Sequence, residues 1–579
     1  YLGNSTIVGG ICNTLSAAGA FIGGGASNFI QSRGVGSAFA AACGVTGNTI
    51  VNGLSNLIIN GKTAPDELAG AARGPIRSAI VTGSCNKITT RYGFSYSDDT
   101  FIGGGCFNSI EGSCRSTILN GSRNEIRSCY NHDGAGSGSE ESTIIGGCCN
   151  RIDGSVGSAI LGGCKNITHP NASNSIIAGG NGNDIYCFSS FIGGGTCNTT
   201  CDRASFIGNG CRNIADGQCT TVVNGCGLSA IAIGATVVAG RANQAGQLVN
   251  RDGTTANTAC SKYSSVIAGC GNIAAGGYSL IGGGKGNCVL GSGSTAKTRL
   301  SGHFSSVFGG CANKINACKL NTIIGGIGNY IKGYTGSYNI VGGGFYNYID
   351  KGSRNVILGG GSNRISNNVS SPNQPYCCIA NDGFIGGGYN NRIDRCNNGA
   401  ILGGLSNVVG GNFSLILNGC YNAVQALTST SPNYGNCLDP NYSSVINGKY
   451  NEITNATCSV IVGGAYNSIL SAFNSSILNG SSVGICNNSC RSTVINGINN
   501  YINEGRDAII LGGRGNCVFG KERCNVVLAG TNNVSPVSAD MLHINSLFFK
   551  LSGIPTSDPN VDGVVYRDGT TLKISSSAG

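Results

Sequence analysis

The sequence has no tryptophan, a single methionine and only 10 prolines in 579 residues, and charged residues make up 11% of it. The scarcity of proline excludes a collagen triple helix, which needs abundant proline together with glycine at every third position. The low charge, combined with a hydrophobic share of 40%, excludes a charge-rich disordered chain. No apolar run approaches the roughly 18 residues that a membrane-spanning helix requires.

Glycine, by contrast, is abundant, with 98 residues in the chain. That share is more than twice the usual value of about 7%. Because glycine costs about 1 kcal/mol relative to alanine at a helical position, the composition argues against a helical protein. High glycine with ordinary hydrophobicity and low charge indicates a tight turn that is repeated many times.

A short motif recurs along the chain. An aliphatic residue, called the anchor below, is followed by glycine at the third position after it and by asparagine at the sixth. We count 28 anchors from Ile7 to Val527, with glycine at +3 in all of them and asparagine at +6 in 26. The two exceptions at +6 are Leu228 and Val483. Most anchors lie 15 to 17 residues apart, a spacing typical of one coil of a solenoid.

Each coil is predicted to contain two short strands. The first strand carries the anchor, and the glycine at +3 closes a turn that needs a positive φ or a close approach of two backbones. In the second strand, the residues at +6 and +8 point inward and the residue at +7 points to water. Stacked coils place asparagine above asparagine, so their amides can be satisfied from coil to coil. Representative turn glycines are Gly10, Gly25, Gly147, Gly326 and Gly530, and the corresponding asparagines are Asn13, Asn28, Asn150, Asn329 and Asn533.

These features predict an all-β fold, a parallel β-roll or β-helix solenoid of about 28 coils with loop insertions. Residues 1–534 form the repeat region, and residues 535–579 form a small C-terminal capping segment with a hairpin turn at Asp568. A coil of this size offers only two or three large apolar side chains per layer. We therefore expect a face of the coils to be buried against other chains in a parallel homotrimer. A monomeric solenoid is the alternative.

The repeat resembles that of a known family. The segments Ser142–Asn150 (STIIGGCCN) and Ser279–Asn287 (SLIGGGKGN) are similar to the head repeats of YadA-like trimeric autotransporter adhesins and to Gly-Gly-x-x-Asn repeats in phage and algal-virus fibres. This resemblance implies a left-handed parallel β-roll in a trimer. The segments Gly553–Pro559 and Asp568–Ile574 resemble the C-terminal part of virion structural proteins of marine phages and large algal viruses. The longer coil, the asparagine at +6 and the many cysteines depart from the bacterial heads.

The resemblance and the repeat together favour a structural viral fibre or tail-fibre protein, a rigid trimeric rod that presents loops for attachment to host-surface glycans. The expected location is the virion surface or another extracellular site. The alternative is a secreted or cell-surface fibril or adhesin of a microbe, and a lower alternative is a tailspike-like polysaccharide depolymerase. Binding commonly resides in loops that project from a rigid scaffold. The insertions lie near 59–78, 89–100, 127–142, 244–264, 290–305, 366–383 and 425–443.

Catalytic chemistry is not expected. Glycan cleavage uses paired carboxyl groups about 5 to 9.5 Å apart. Candidate acidic doublets are Asp98–Asp99 and Glu140–Glu141 among others, and adjacent acidic residues in a loop are typically solvated. We expect no enzymatic activity and no cofactor. The net charge of +10 is spread along the chain, so neither nucleic-acid binding nor membrane insertion is indicated.

Cysteine is frequent, with 30 residues, whereas histidine occurs only four times. Cys211 and Cys226 occupy the same place in neighbouring coils, about 4.8 Å apart, a separation compatible with a disulfide. A ladder of such disulfides and a set of reduced, space-filling thiols are the two alternatives. Because paired C-x-x-C motifs are absent, no metal site is expected.

Overall fold

The computed structural model describes residues 4–31, 47–59, 75–90, 97–128, 139–246, 261–290, 303–317, 319–333, 337–366, 380–394, 396–425 and 441–520, with short pieces between 526 and 574. Across these ranges the chain forms strands, bridges and turns, and it contains no helix that is long and apolar enough to cross a membrane. The predicted all-β solenoid with parallel sheets is confirmed.

The chain is divided into two compact units, unit 1 (Tyr1–Asn390) and unit 2 (Asn391–Gly579). The repeat occurs in both units, so this division falls inside the predicted repeat region of residues 1–534. The boundary expected after residue 534 stays a prediction, because few residues beyond 520 belong to the described part of the chain.

In unit 1, each coil adds one strand to a first sheet, which carries the anchors, and one strand to a second sheet. The first sheet comprises β1 (Thr6–Ile7), β3 (Phe21–Ile22), β5 (Thr49–Ile50), β7 (Ala79–Ile80), β9 (Phe101–Ile102), β11 (Thr117–Ile118), β13 (Thr143–Ile144), β15 (Ala159–Ile160), β17 (Ile176–Ile177), β19 (Phe191–Ile192), β21 (Phe206–Ile207), β23 (Thr221–Val222), β25 (Thr236–Val237), β27 (Ser265–Val266), β29 (Leu280–Ile281), β31 (Ser306–Val307), β33 (Thr322–Ile323), β35 (Ile340–Val341), β37 (Val356–Ile357) and β39 (Phe384–Ile385).

The second sheet of unit 1 alternates with the first along the chain. It comprises β2 (Thr14–Ser16), β4 (Phe29–Gln31), β6 (Leu57–Ile59), β8 (Lys87–Thr89), β10 (Ser109–Glu111), β12 (Glu125–Arg127), β14 (Arg151–Asp153), β16 (Ile167–Thr168), β18 (Asp184–Ile185), β20 (Thr199–Thr200), β22 (Ile214–Ala215), β24 (Ser229–Ala230), β26 (Gln244–Ala245), β28 (Ile273–Ala274), β30 (Cys288–Val289), β32 (Lys314–Ala317), β34 (Tyr330–Gly333), β36 (Tyr348–Asp350) and β38 (Arg364–Ser366).

Unit 2 has the same alternation of strands. The strands that carry anchors are β41 (Ala400–Ile401), β43 (Leu415–Ile416), β45 (Ser444–Ile446), β47 (Val460–Val462), β49 (Ser476–Leu478), β51 (Thr493–Ile495), β53 (Ile509–Ile510) and β55 (Val526–Val527), followed by β57 (Leu542–His543). The second set comprises β40 (Arg392–Asp394), β42 (Val408–Val409), β44 (Ala423–Gln425), β46 (Glu452–Thr454), β48 (Ser468–Leu470), β50 (Gly484–Cys486), β52 (Tyr501–Asn503), β54 (Cys517–Phe519) and β56 (Val534–Ser535).

Neighbouring coils are stacked in register, as the repeat predicts. In the first sheet, Ile144 of β13 is the parallel partner of Ile160 of β15. In the second sheet, Ile110 of β10 is the partner of Ile126 of β12. A third line of contacts consists of single-residue parallel bridges at +4, such as the bridge from Cys148 to Cys164. Equivalent positions of the repeat therefore lie above one another on every side of a coil.

The interior of each coil is narrow and completely filled. In the coil of Ile144, the anchor and Ile152 at +8 have no exposed surface, and neither do Asn150 at +6 and Ser142 at −2. Burial of each isoleucine contributes about 1.5 to 3 kcal/mol. The two isoleucines, one serine and one asparagine close the core within a single chain. Apolar surface that remains must therefore lie outside the coil.

The C-terminal segment contains a hairpin, as its sequence predicts. Strand β58 (Val565–Asp568) pairs antiparallel with β59 (Thr571–Ile574), and Asp568 is the partner of Thr571. The turn residues 569–570 lie outside the described residues. The capping role of this segment remains a prediction.

Candidate functional surfaces

The glycine at +3 is required by the backbone on two grounds. Gly147 has a φ of 86°, a conformation that side chains disfavour. A Cβ added there would also collide with the carbonyl oxygen of Gly163 in the next coil. The same conformation occurs at Gly10 (99°), Gly25 (84°) and Gly326 (89°). Gly530 accepts a hydrogen bond at its carbonyl oxygen from the N–H of Arg514, at 2.9 Å.

The asparagine at +6 joins neighbouring coils through its side chain. The Asn150 amide Nδ2 donates to the carbonyl oxygens of Gly146 in its own coil and Gly163 in the next, both at 3.0 Å. Its Oδ1 accepts from the backbone N–H of Asn166 at 3.1 Å. Each asparagine side chain is thus hydrogen-bonded to the backbone of its own coil and of the next one. Equivalent bonds are made by Asn13, Asn28 and Asn329, whereas Asn533 lies outside the described residues.

The two exceptions at +6 interrupt these bonds in one direction only. The backbone N–H of Leu228 still donates to Asn213 Oδ1 at 3.0 Å, and that of Val483 donates to Asn467 Oδ1 at 3.1 Å. Their apolar side chains cannot accept a hydrogen bond from the backbone N–H of the following coil. The asparagine network is therefore a property of most coils, and single gaps in it are compatible with the fold.

The outward face of the first sheet is apolar. The residues at −1 and +1 flank each buried anchor, so they point outward. In all 28 coils, neither position carries a charged residue, and +1 is always aliphatic, phenylalanine or glycine. Ile324 and Leu358, both at +1, are 54% and 53% exposed. Contiguous exposed apolar surface of this kind marks an interaction site.

Phenylalanine at −1 and glycine at +1 occur together in the same coils of this face. Every phenylalanine at −1 belongs to a coil with glycine at +1. In one such coil, a Cβ at Gly208 would meet the carbonyl oxygen of Val223 and lie 3.5 Å from the ring of Phe206. The ring therefore covers a place where the backbone leaves no room for a side chain. Apolar cover is maintained in these coils even though +1 has no side chain.

The outward face of the second sheet carries charge. Arg127 donates two hydrogen bonds to the carboxylate of Asp153 in the next coil, both at 3.0 Å. Arg151 approaches the same carboxylate at 3.4 Å. Charged side chains at +7 of this sheet are Lys87, Glu125, Arg151, Asp184, Lys314, Arg364, Arg392 and Glu452. Other coils have polar, aromatic or aliphatic residues at +7, such as Ile214, so this face is mixed and lacks the uniform exclusion of charge seen on the first sheet.

A corner ladder runs beside the first sheet, formed by the residue at −3 of each coil. In unit 1 these residues have positive φ, including Arg77 (52°) and Tyr278 (54°). Such a backbone costs a residue with a side chain about 1 kcal/mol or more. Glycine takes the place at Gly19, Gly47, Gly157 and Gly234. The other coils retain a side chain despite the strain, and in several of them this side chain contacts its equivalent in the next coil.

Part of the corner ladder consists of ion pairs between adjacent coils. Arg77 contacts Asp99 at 2.6 Å, and Arg354 contacts Asp382 at 2.6 Å. The hydrogen bond from Arg77 holds the pKa of the Asp99 carboxyl below its usual value, and Arg354 has the same effect on the pKa of Asp382. All four side chains are substantially exposed, so each pair contributes little to stability.

The doublets Asp98–Asp99 and Glu140–Glu141 each contribute a residue to this ladder. Asp99 pairs with Arg77, while Glu140 and Glu141 both contact Arg115, at 3.2 and 3.0 Å. Each doublet thus has a residue engaged by an arginine of the preceding coil. These carboxylates therefore take part in contacts between neighbouring coils. The absence of catalysis stays a prediction.

Another part of the ladder is aromatic. The rings of Tyr263 and Tyr278 are stacked with centroids 5.1 Å apart, and those of Tyr278 and Phe304 are 4.9 Å apart. We call these three residues the aromatic segment. Each is about half exposed. Unit 2 has a comparable stack of Phe413 on Tyr442, at 4.9 Å. Exposed aromatic rings in a fixed row are suited to binding a partner surface.

The cysteines of the described residues are all free thiols. Cys211 and Cys226, the predicted pair, are bridge partners at +4, and their Sγ atoms lie 3.3 Å apart. A second pair, Cys148 and Cys164, has the same relation with a distance of 2.8 Å. No cluster of three or more His, Cys, Asp or Glu side chains suited to a metal occurs in the described ranges.

Sequence reasoning missed the outward apolar rows, the corner ladder and the second cysteine pair. Alignment of the coils on their anchors would have revealed the rows, because charge is absent at −1 and +1. The predicted insertion loops fall largely outside the described residues. No model of a known protein family matches the chain, and no curated protein is similar to it.

Proposed function

We propose that the chain is a structural fibre protein that assembles through the outward face of the first sheet into a homotrimer and presents loops for attachment to a host surface. One observation carries the proposal. In every coil the first sheet presents at least one apolar side chain and no charged one beside its anchor, whereas the second sheet presents a charged side chain at +7 in eight coils. Exposed apolar side chains that recur from coil to coil favour association with a partner surface.

The periodicity of the face favours other copies of this chain as the occupant. The apolar rows repeat once per coil, and a parallel copy has the same repeat distance. Contacts made by one coil can then recur in every coil, as they do in symmetric assemblies of identical chains. Interfaces between permanently associated subunits are more apolar than other protein surfaces, in agreement with the lack of charge at −1 and +1.

The assembly is tested by the mass of the full chain in solution. Sedimentation equilibrium under reducing conditions should give three times the chain mass of 58.4 kDa. A mass of a single chain across the accessible concentration range would refute the assembly. A stable dimer would keep the interface and refute the threefold arrangement.

The aromatic segment supports the attachment part of the proposal. Tyr263, Tyr278 and Phe304 are exposed and held in fixed order, on a corner that is distinct from the apolar face. The assembled protein should bind members of a panel of immobilised cell-surface glycans. Replacing Tyr278 and Phe304 by alanine should weaken that binding at least severalfold. Binding that is unaffected by this change would leave attachment to the insertion loops alone.

The viral assignment rests on the resemblance of the repeat and of the C-terminal segment to fibre proteins of phages and algal viruses. A microbial adhesin or fibril with the same architecture is the second candidate. Capsid or tail genes beside the gene for this chain would support the virus, and a cellular secretion cluster would support the adhesin. Release of oligosaccharides from bound glycan would instead favour the depolymerase.

A further inference from the structure

We propose that Cys148 and Cys164, and separately Cys211 and Cys226, are oxidised in the mature protein to disulfides that lock adjacent coils of unit 1 together. This modification adds covalent links along a single chain. It is therefore independent of the assembly and attachment described above.

The geometry of both pairs meets the requirements of a disulfide. Parallel strand neighbours lie about 4.8 Å apart, and the Cα atoms of a disulfide are about 4.4 to 6.8 Å apart. The sulfur atoms already face each other, at 2.8 Å for Cys148 and Cys164 and 3.3 Å for Cys211 and Cys226. A change of side-chain torsion can form the bond without movement of the coils.

Two independent pairs share one structural position. All four cysteines occupy +4, the position of the single-residue bridges between coils. Other cysteines at +4 have a different residue above and below them. Cys106, for example, is the bridge partner of Ser84 and Ser122, and its Sγ donates to Ser122 Oγ at 3.3 Å. These isolated cysteines provide an internal comparison within the same chain.

The chemistry is thiol–disulfide exchange with a small disulfide such as oxidised glutathione. One cysteine thiolate attacks a glutathione sulfur, which forms a mixed disulfide and releases one reduced glutathione. The thiolate of the second cysteine then displaces the second glutathione. Two protein thiols lose two protons and two electrons in total, and one oxidised glutathione becomes two reduced glutathione molecules.

The neighbouring thiol also affects reactivity. The hydrogen bond to Cys164 raises the pKa of Cys148, and the bond to Cys226 raises the pKa of Cys211. Less thiolate is then present near neutral pH, so the exchange should accelerate as the pH rises. The pairs are partly or fully accessible to solvent, which allows the oxidant to reach them.

Peptide mapping of the full chain tests the proposal. The folded protein is incubated with oxidised glutathione, free thiols are alkylated, and the chain is digested with trypsin without reduction. Cleavage after Arg151 separates Cys148 from Cys164, and cleavage after Arg212 separates Cys211 from Cys226. We expect two cross-linked peptide pairs that disappear on reduction, each with a mass two hydrogen atoms below the sum of its two free-thiol peptides.

Neighbouring cysteines supply the matched controls. The peptide that holds Cys148 also holds Cys129 and Cys149, and the peptide that holds Cys226 also holds Cys219. Cys129→Ser, Cys149→Ser and Cys219→Ser should keep the cross-links, whereas Cys148→Ser and Cys226→Ser should abolish them. Serine already occupies +4 at Ser84 and Ser122, so these variants should fold.

Four results would overturn the proposal. The four cysteines could all be recovered as alkylated thiols after prolonged exposure to the oxidant. The cross-links could survive Cys148→Ser or Cys226→Ser, which would assign them to other cysteines. Non-reducing electrophoresis could show them to join separate chains. Cys106 in the same sample should be recovered alkylated or as its glutathione adduct, and a cross-linked peptide that holds Cys106 at equal yield would contradict selectivity for facing pairs.

Discussion

The outward faces of the two sheets differ in composition, although both sheets consist of short parallel strands stacked from coil to coil. On the first sheet, the residues beside each anchor are apolar or small and uncharged, and Leu358 is 53% exposed. On the second sheet, some of the equivalent places hold ion pairs such as that of Arg127 with Asp153, and others hold apolar residues such as Ile214. The outward residues of either sheet are not needed to close the core, which is already filled inside the coil. The comparison therefore separates the residues that fold the chain from those that determine its surface.

The largest effect is expected from a charge on the first sheet. Leu358→Glu would place a carboxylate in an apolar interface and should weaken association by about 3 kcal/mol, or roughly a hundredfold. Ile214→Glu is the matched control, because Ile214 is an exposed apolar residue on the second sheet, where Glu125 occurs naturally at the same place. Sedimentation should show dissociation of the first variant only. Equal masses for both variants would remove the distinction between the faces.

A smaller effect on association is expected when a phenylalanine that covers a glycine at +1 is replaced. Phe206→Ala removes a ring from the apolar face and should weaken association by about 1 to 2 kcal/mol. Phe206→Leu should restore most of the loss, because Leu280 occupies the same place beside Gly282 in another coil. Dilution series followed by sedimentation would measure both variants. An alanine variant as tightly associated as the original chain would contradict a role for the ring.

On the second sheet, loss of an ion pair should affect folding and leave assembly unchanged. Arg127→Ala leaves the carboxylate of Asp153, which is only 7% exposed, without its bidentate partner. We expect a loss of about 1 to 2 kcal/mol in the free energy of unfolding, measured with denaturant. A change in the mass of the assembly with no change in stability would reverse the roles that we give to the two faces.

The smallest expected effect is the pH dependence of the stability that the ion pairs of the corner ladder contribute. Arg77 lowers the pKa of Asp99 from its ordinary value of 3.8 in the folded chain. The resulting stabilisation is complete above that value and is lost as the pH falls through the lower pKa of the folded state. Arg77→Ala should therefore lower the melting temperature slightly near neutral pH, and the difference should shrink in acid. A difference that grows in acid would have the wrong sign.

The interior of the coil was predictable from sequence because the backbone dictates it. Gly147 is required by its φ and by the carbonyl oxygen of Gly163, and Asn150 by three hydrogen bonds, so both recur in nearly every coil. The corner ladder was harder to predict, because an insertion separates Arg354 from Asp382 along the chain although they are neighbours in space. The pairing of Cys148 with Cys164 needed only the register of the coils, once that register was known.

The outward apolar rows could not be recognised from alternation alone. Residues on both sides of an anchor are uncharged, so the pattern T-I-I of β13 and its following residue resembles a strand that is buried on both faces. Only the burial of Ile144, against the 42% exposure of Ile145, separates the inside from the outside. The small core of each coil predicts that one face is covered by other chains. The composition of the outer face supports the same prediction more directly.

The central claim is that the first sheet is covered in the assembled protein and the second is not. Carbene footprinting of the unmodified chain, read out by mass spectrometry, tests it most directly. In a single chain Ile324, Leu358 and Ile214 are all exposed, by 54%, 53% and 42%. We predict strong protection of Ile324 and Leu358 and full labelling of Ile214. Equal labelling of all three would contradict the account.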